Sequence, residues 1–178
     1  GKSIVVAGDN QLPVVHALAH AINATLGNVG QTVTYTDSFS PNTEKTQAEG
    51  LKELVGEMNG GTVKMLVILG GNPVYNSPAD AKLSKDLMLD DKKLPLRVHL
   101  GNTFDETAEL CHWHVNGKHF LETWSDTRAY NGTATIVQPL VVPLYDGKSP
   151  HEIVQLFAKE NFEKKEIDIV KDYWKTNG

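Results

Sequence analysis

Cysteine is nearly missing from this chain. Cys111 stands alone among 178 residues, which excludes an internal disulfide and any cysteine-rich zinc or iron–sulfur centre built from the chain itself. A basic excess is missing too. Lys and Arg number 17 against 22 Asp and Glu, the net charge is -5 and the pI is near 5.8, so no basic face for a phosphate backbone, and hence no nucleic-acid partner, is expected. No apolar run approaches the roughly 20 residues of a membrane span, so no direct insertion into a bilayer is expected. Lys2 is followed by a strand-like run and not by a cleavable apolar segment, so no export leader is expected. Nucleotide fingerprints are absent as well. Gly8 is followed by Asp9, Asn10, Gln11, Leu12 and Pro13, which is no G-x-G-x-x-G, and there is no P-loop lysine; a standard NAD or ATP site is not expected. No G-x-S-x-G elbow supports a hydrolase triad. Internal repeats and low-complexity segments are lacking.

What remains is globular: 40% apolar and 22% charged residues, on a chain long enough for one domain with a core. The stretch at 64–78, KMLVILGGNPVYNSP, organises the rest. Residues 65–69 are apolar without alternation, and Gly70, Gly71, Asn72 and Pro73 end the run. That pattern predicts a central parallel strand buried on both faces. Its carboxyl end is where open α/β sheets bind ligands.

The flanking segments alternate in the same grammar. Residues 3–7 (SIVVA) read as a strand. A helix follows over 11–26, with Val15, Leu18, Ala19, Ile22 and Leu26 at helical spacing, Asp9 or Asn10 as cap, Pro13 in the first turn and Gly27 and Gly30 as the stop. Residues 31–36 read as a strand and 37–42 as a loop. A helix over 43–59 turns Ala48, Leu51, Leu54, Val55 and Met58 inward. Residues 79–89 read as a helix and 96–100 as a strand. Alternation of this kind implies right-handed crossovers and a parallel sheet.

After Gly101 the pattern changes. Residues 104–110 predict a short helix, 111–115 a strand, 122–131 an ordered polar loop and 133–137 a strand. Ser149, with Glu152 three residues on, predicts a capped helix to 157. A last helix spans 163–175, apolar along Ile167, Val170 and Trp174. Cys111, His112, His114 and His119 are the densest group of potential metal ligands. On a strand His112 and His114 share one face, so a metal there needs His119, His99 or a carboxylate besides. His16 and His20 lie one helical turn apart but lack the glutamate of H-E-x-x-H. Glu122, Trp124, Asp126, Arg128 and Tyr130 suit either a cofactor cleft or a self-satisfied loop.

Four stretches taken in order, VVHALAHAINATLGNVG, LVILGGNPVYNSPAD, FDETAELCHWHVNGKHFLETWSD and YNGTATIVQPLVVPLYDGKSPHEIV, resemble a domain of the molybdopterin oxidoreductase large subunits, the dimethyl sulfoxide reductase superfamily. More narrowly the chain is similar to the molybdopterin-oxidoreductase-like subunit of bacterial alternative complex III, a membrane-bound quinol-oxidising assembly. The family's glycine turn after its first helix is matched at Leu26, Gly27, Asn28 and Gly30. Its G-x-N-P turn, at Gly70, Gly71, Asn72 and Pro73 here, approaches the pterin dinucleotide in cofactor-bearing relatives. Its T-E-T-A segment is matched by Asp105, Glu106, Thr107 and Ala108. Glu122 matches the glutamate of an E-x-x-G stretch that lines the cleft. The family's A-D-V-x-L-P element is replaced by Cys111, His112, Trp113 and His114.

The resemblance implies a three-layer α/β/α fold with a mostly parallel, Rossmann-like sheet of the formate dehydrogenase and dimethyl sulfoxide reductase type. It implies one domain over 1–178 of a longer subunit, with a core over about 3–158 and a helical extension over 159–178. The expected role is a scaffold without a redox centre, catalytic residue or cofactor of its own. Gly70, Gly71, Asn72, Pro73, Thr107 and Glu122 would line a vestigial cleft. Its partners would be other domains of the subunit and the membrane-complex subunits, on the periplasmic side. Two alternatives stay open. One is a true molybdopterin-guanine-dinucleotide-binding domain. The other is an independent small α/β enzyme or metal protein using Asp9, His99, His112 and His114.

Overall fold

The computed structural model describes residues 1–36, 44–158 and 161–177. The loop expected at 37–42, the expected helical residue Thr43, and residues 159–160 and 178 of the expected extension lie outside the described residues. The described residues fall into two compact units, one formed by the residues up to 36 with Tyr130–Gly132, the other by the rest.

The first unit is built on α1, Pro13–Thr25, with Pro13 in its first turn and Gly27 at φ +66 just past its end. Leu12, and not Asp9 or Asn10, occupies the cap position, and no side chain bonds the first turn. Residues 3–7 form no strand here. They are tied down by Asn23, whose side chain accepts from the Val5 N–H (2.9 Å) and donates to the Val5 carbonyl (2.7 Å). Asn28 is wholly buried; it donates to Asn23 Oδ1 (3.0 Å) and accepts from Ser3 Oγ (3.2 Å). Residues 31–36 likewise form no ladder, only an isolated bridge from Val33 to Val29. A strand needs a neighbour to take its N–H and C=O groups, and in these two segments asparagine side chains and turns do part of that work.

The second unit is mixed α/β. Helix α2, Gln47–Asn59, starts at a capping box in which Thr46 accepts from Glu49 N–H and Glu49 bonds back to Thr46 N–H. The start moves Ala48 into an exposed first turn; Leu51, Leu54, Val55 and Met58 face the core as expected. Strand β1, Leu66–Leu69, is followed by α3, Pro73–Asn76. The single helix expected at 79–89 is broken into a 3₁₀ turn, Ala79–Ala81, and α4, Lys85–Leu89, because Lys82 takes a left-handed φ of 60 between them. Then come β2, Arg97–Gly101, α5, Glu106–Glu109, and β3, Trp113–Asn116. The three strands are parallel, in the order β1-β2-β3, with Ile68 beside His99 and His99 beside His114.

The expected place of the 65–69 strand is corrected as well. β1 is not the central strand but a margin of the described sheet, with Met65 40% and Leu69 42% exposed. The centre is β2, whose residues are nearly all buried although they include Arg97 and His99. Five apolar residues in a row mark a strand, yet cannot distinguish two covered faces from one covered face. Arg97 is tolerated inside because its guanidinium donates to Leu110 O (2.9 Å), Leu94 O (2.7 Å) and Asp91 Oδ1 (2.8 Å). Around these elements Val55, Met58, Leu87, Met88, Leu94 and Leu110 form one apolar core.

The stretch expected as a loop at 122–131 contains β4, Ser125–Arg128, paired antiparallel with β5, Ala134–Val137. Helix α6, Pro150–Gln155, begins at the Ser149–Glu152 capping box that its sequence announces, and α7, Glu166–Asn177, closes the chain. No helix among the described residues is long and apolar enough to cross a membrane.

Candidate functional site

The carboxyl ends of β1 and β2 gather most of the residues singled out above. Gly70 N–H donates to Leu100 O (2.8 Å), so the turn leaves the sheet only after one more ladder bond. Gly70 and Gly71 then take φ values of 75 and 74, a left-handed pair that side-chain-bearing residues rarely sustain. Nothing lies within 4 Å of where a Cβ would stand on either. Asn72 follows, and Pro73 opens α3.

Two motifs that lie far apart in sequence meet here. Thr107, fully buried, donates its hydroxyl to Asn72 Oδ1 (2.7 Å) and accepts from the Val74 N–H (3.1 Å). The Asn72 amide donates to Glu106 Oε2 (2.6 Å) and holds that carboxyl below the ordinary range. Asp105 caps α5 by accepting from Thr107 N–H (3.1 Å) and Ala108 N–H (2.9 Å). A short helix with four residues depends on such a cap, since most of its N–H groups have no partner inside it.

Beside this network lies a histidine pair, His99 and His114, which the sequence offered only as members of a candidate metal set. His99 is buried; its Nε2 is 3.1 Å from Gly71 O and its Nδ1 3.2 Å from His114 Nδ1. A carbonyl can only accept, so His99 Nε2 carries a proton, and in the neutral ring Nδ1 is bare. It accepts from His114 Nδ1–H, which leaves His114 Nε2 as the ring nitrogen with a lone pair. Burial, and then the adjacent His99, push the His114 pKa down, which favours the neutral form of the His114 ring. Asp105 Oδ1 lies 3.9 Å from His99 Nδ1. Gly101 permits the packing: a Cβ on it would stand 2.6 Å from His99 Cε1. The pairing follows from the β2–β3 register, which no residue spacing reveals.

The remaining candidates are elsewhere. His112 does not share a ligand set with His114. Its Nδ1 accepts from Arg97 N–H (3.1 Å) and its Nε2 lies 3.2 Å from the Arg97 guanidinium. Among the described residues no group of three or more His, Cys, Asp or Glu side chains is arranged to hold a metal ion. Glu122 is a brace: it accepts from Leu144 N–H (2.8 Å) and His119 N–H (2.9 Å), first of which holds its carboxyl below the usual range. Cys111 is half-buried, and burial pushes its thiol pKa up, away from reactivity. Asp9 and His16 belong to the first unit, where His20 Nδ1 meets Tyr35 OH at 2.8 Å.

The chain matches no family model and no curated protein.

Proposed function

We propose that the chain is a scaffold domain of a molybdopterin-oxidoreductase-like subunit, in a membrane-associated, quinol-linked electron-transfer complex, with no redox centre of its own. The observation that carries this is the bonding of the GGNP turn. A turn that presents itself to a dinucleotide needs free polar groups. Here Gly70 N–H is spent on Leu100, Gly71 O on His99, and the Asn72 side chain on Thr107 and Glu106. The two motif segments bond each other, and the Gly70 N–H, the Gly71 carbonyl and the Asn72 side chain are all used within the chain.

Apolar exposure supports the scaffold role. Leu140, Val142, Leu144 and Tyr145 are all exposed, Val142 at 86%. Contiguous exposed apolar residues of this kind mark surfaces that other protein covers. The proposal extends to a three-layer α/β/α fold with a mostly parallel, Rossmann-like sheet. The parallel order β1-β2-β3 supports it; the marginal place of β1 counts against it. The periplasmic location and the partner subunits belong to the same proposal.

A second reading, a molybdopterin-guanine-dinucleotide-binding domain, is favoured by the open space over Gly70 and Gly71. The test is to purify the chain, tagged, with whatever it assembles with in its native membranes. Quinol oxidation by the isolated complex and less than stoichiometric molybdenum and guanine nucleotide are expected. Molybdenum at one per chain selects the second reading; a chain found in no membrane complex overturns both.

A further inference from the structure

The larger unit carries a groove far from the residues discussed so far, between α7 and the β4–β5 hairpin. Its volume is about 460 Å³, within the roughly 300–1,000 Å³ of small-molecule clefts. Trp124, Ile136, Ile167, Val170 and Trp174 line it, and Lys171 and Lys175 complete the wall. Among the described residues no carboxylate lines it. Two of the acids on these elements are engaged: Asp126 Oδ2 accepts from Trp174 Nε1 (3.1 Å), and Asp172 pairs with Lys164 (2.6 Å) and Lys175 (3.2 Å); Asp168, three residues before Lys171 on α7, does not line the groove. Lys171 has no partner among the described residues. A third cation, the Arg128 guanidinium, lies 5.1 Å from the centroid of the Trp174 ring. The groove is therefore apolar within and positive at its edge.

We propose that this groove binds a single-chain amphiphile with a carboxylate head, of the fatty-acid class. The alkyl tail lies against the two indoles and the aliphatic side chains, where it brings no polar group that would need a partner. The head meets Lys171 and Lys175. A peptide occupant would bring amide groups into a lining whose Trp174 N–H is already spent. The inference stands apart from the family proposal and does not depend on it.

The test uses the full chain with Trp113→Phe. Trp113 is exposed on β3, outside the groove; its removal leaves Trp124 and Trp174 as the only indoles. Dodecanoate, titrated below its micelle-forming concentration, should change tryptophan fluorescence saturably. Dodecyltrimethylammonium, with the same tail and the opposite head, should bind at least about tenfold more weakly, a difference of about 1.4 kcal/mol. K171Q with K175Q should weaken dodecanoate binding by a similar factor while the circular dichroism stays unchanged. Absence of saturation, equal binding of the two amphiphiles, or unchanged affinity in the double variant would each overturn the proposal.

Discussion

Thr107 is small, buried and doubly bonded, which makes it the residue most sensitive to a change of one atom. Thr107→Val keeps the shape and removes the hydroxyl. Asn72 Oδ1 loses its donor and the Val74 N–H its acceptor. A buried group left without a partner costs about 1–3 kcal/mol, so a loss of about 2 kcal/mol is expected in urea denaturation. Thr107→Ser, which keeps the hydroxyl, should cost about 1 kcal/mol for the lost methyl. Equal stability of the Val variant and the parent would mean that the hydroxyl bonds contribute nothing. The histidine pair yields a sharper test. In the neutral pair His99 carries its proton on Nε2 and His114 on Nδ1, since Gly71 O accepts from one ring and the two Nδ1 atoms face each other. Long-range ¹⁵N–¹H correlation at neutral pH should show these two different tautomers. His114 protonated on Nε2 alone would break the chain of bonds inferred here.

The helices show how much local chemistry fixes in advance. Ser149 followed by Pro150 and then Glu152 is legible as a helix start, and α6 begins there with both bonds of the capping box formed. Thr46 followed by Glu49 carries the same signal, and the expected start at 43 missed it. Ser149 is fully buried while Thr46 is exposed. Ser149→Ala should therefore cost close to 2 kcal/mol and Thr46→Ala nearer 0.5–1, across the roughly 0.5–2 kcal/mol range of such caps; chemical denaturation of the two variants would show the order. Strands were legible as far as their apolar or β-branched runs go, as at Leu66–Leu69 and Ala134–Val137. β4 was not, because Ser125, Asp126, Thr127 and Arg128 carry no apolar alternation and are held as a strand by pairing with β5. The same limit governed the site. Gly70, Gly71, Asn72 and Thr107 were legible as motif residues, whereas the bonding of Asn72 to Thr107 exists only through the packing of α3 against α5, and the His99–His114 contact only through the register of β2 and β3.

Over the larger unit, one charged cluster ties together segments that are remote in sequence. Lys118, just beyond β3, donates to Glu152 of α6 (2.9 Å) and Glu166 of α7 (2.7 Å). Glu166 also accepts from Trp124 N–H (3.2 Å), at the start of β4, and is only 7% exposed. Burial alone would raise the pKa of this carboxyl. The hydrogen bonds from the Lys118 ammonium, the Trp124 N–H and the Thr123 hydroxyl together outweigh it, and the carboxyl falls from its ordinary 4.5 to about 2. A depressed carboxylate stabilises the fold fully above its unfolded-state value. Between about 4.5 and about 2 the unfolded chain takes up the proton first, so the stabilisation is lost as the pH falls through that window. Solvent screening reduces the effect to on the order of 1–2 kcal/mol. The urea midpoint should therefore decline from pH 5 toward pH 2. Lys118→Met removes the cation and leaves Glu166 desolvated without it, at a cost of roughly 3 kcal/mol at neutral pH. In that variant burial dominates and the Glu166 carboxyl titrates above its ordinary value, so protonation relieves the penalty. Its stability relative to the parent should recover as the pH falls from 6 to 4. A constant difference between the two proteins across that range would show that Lys118 and Glu166 are not coupled.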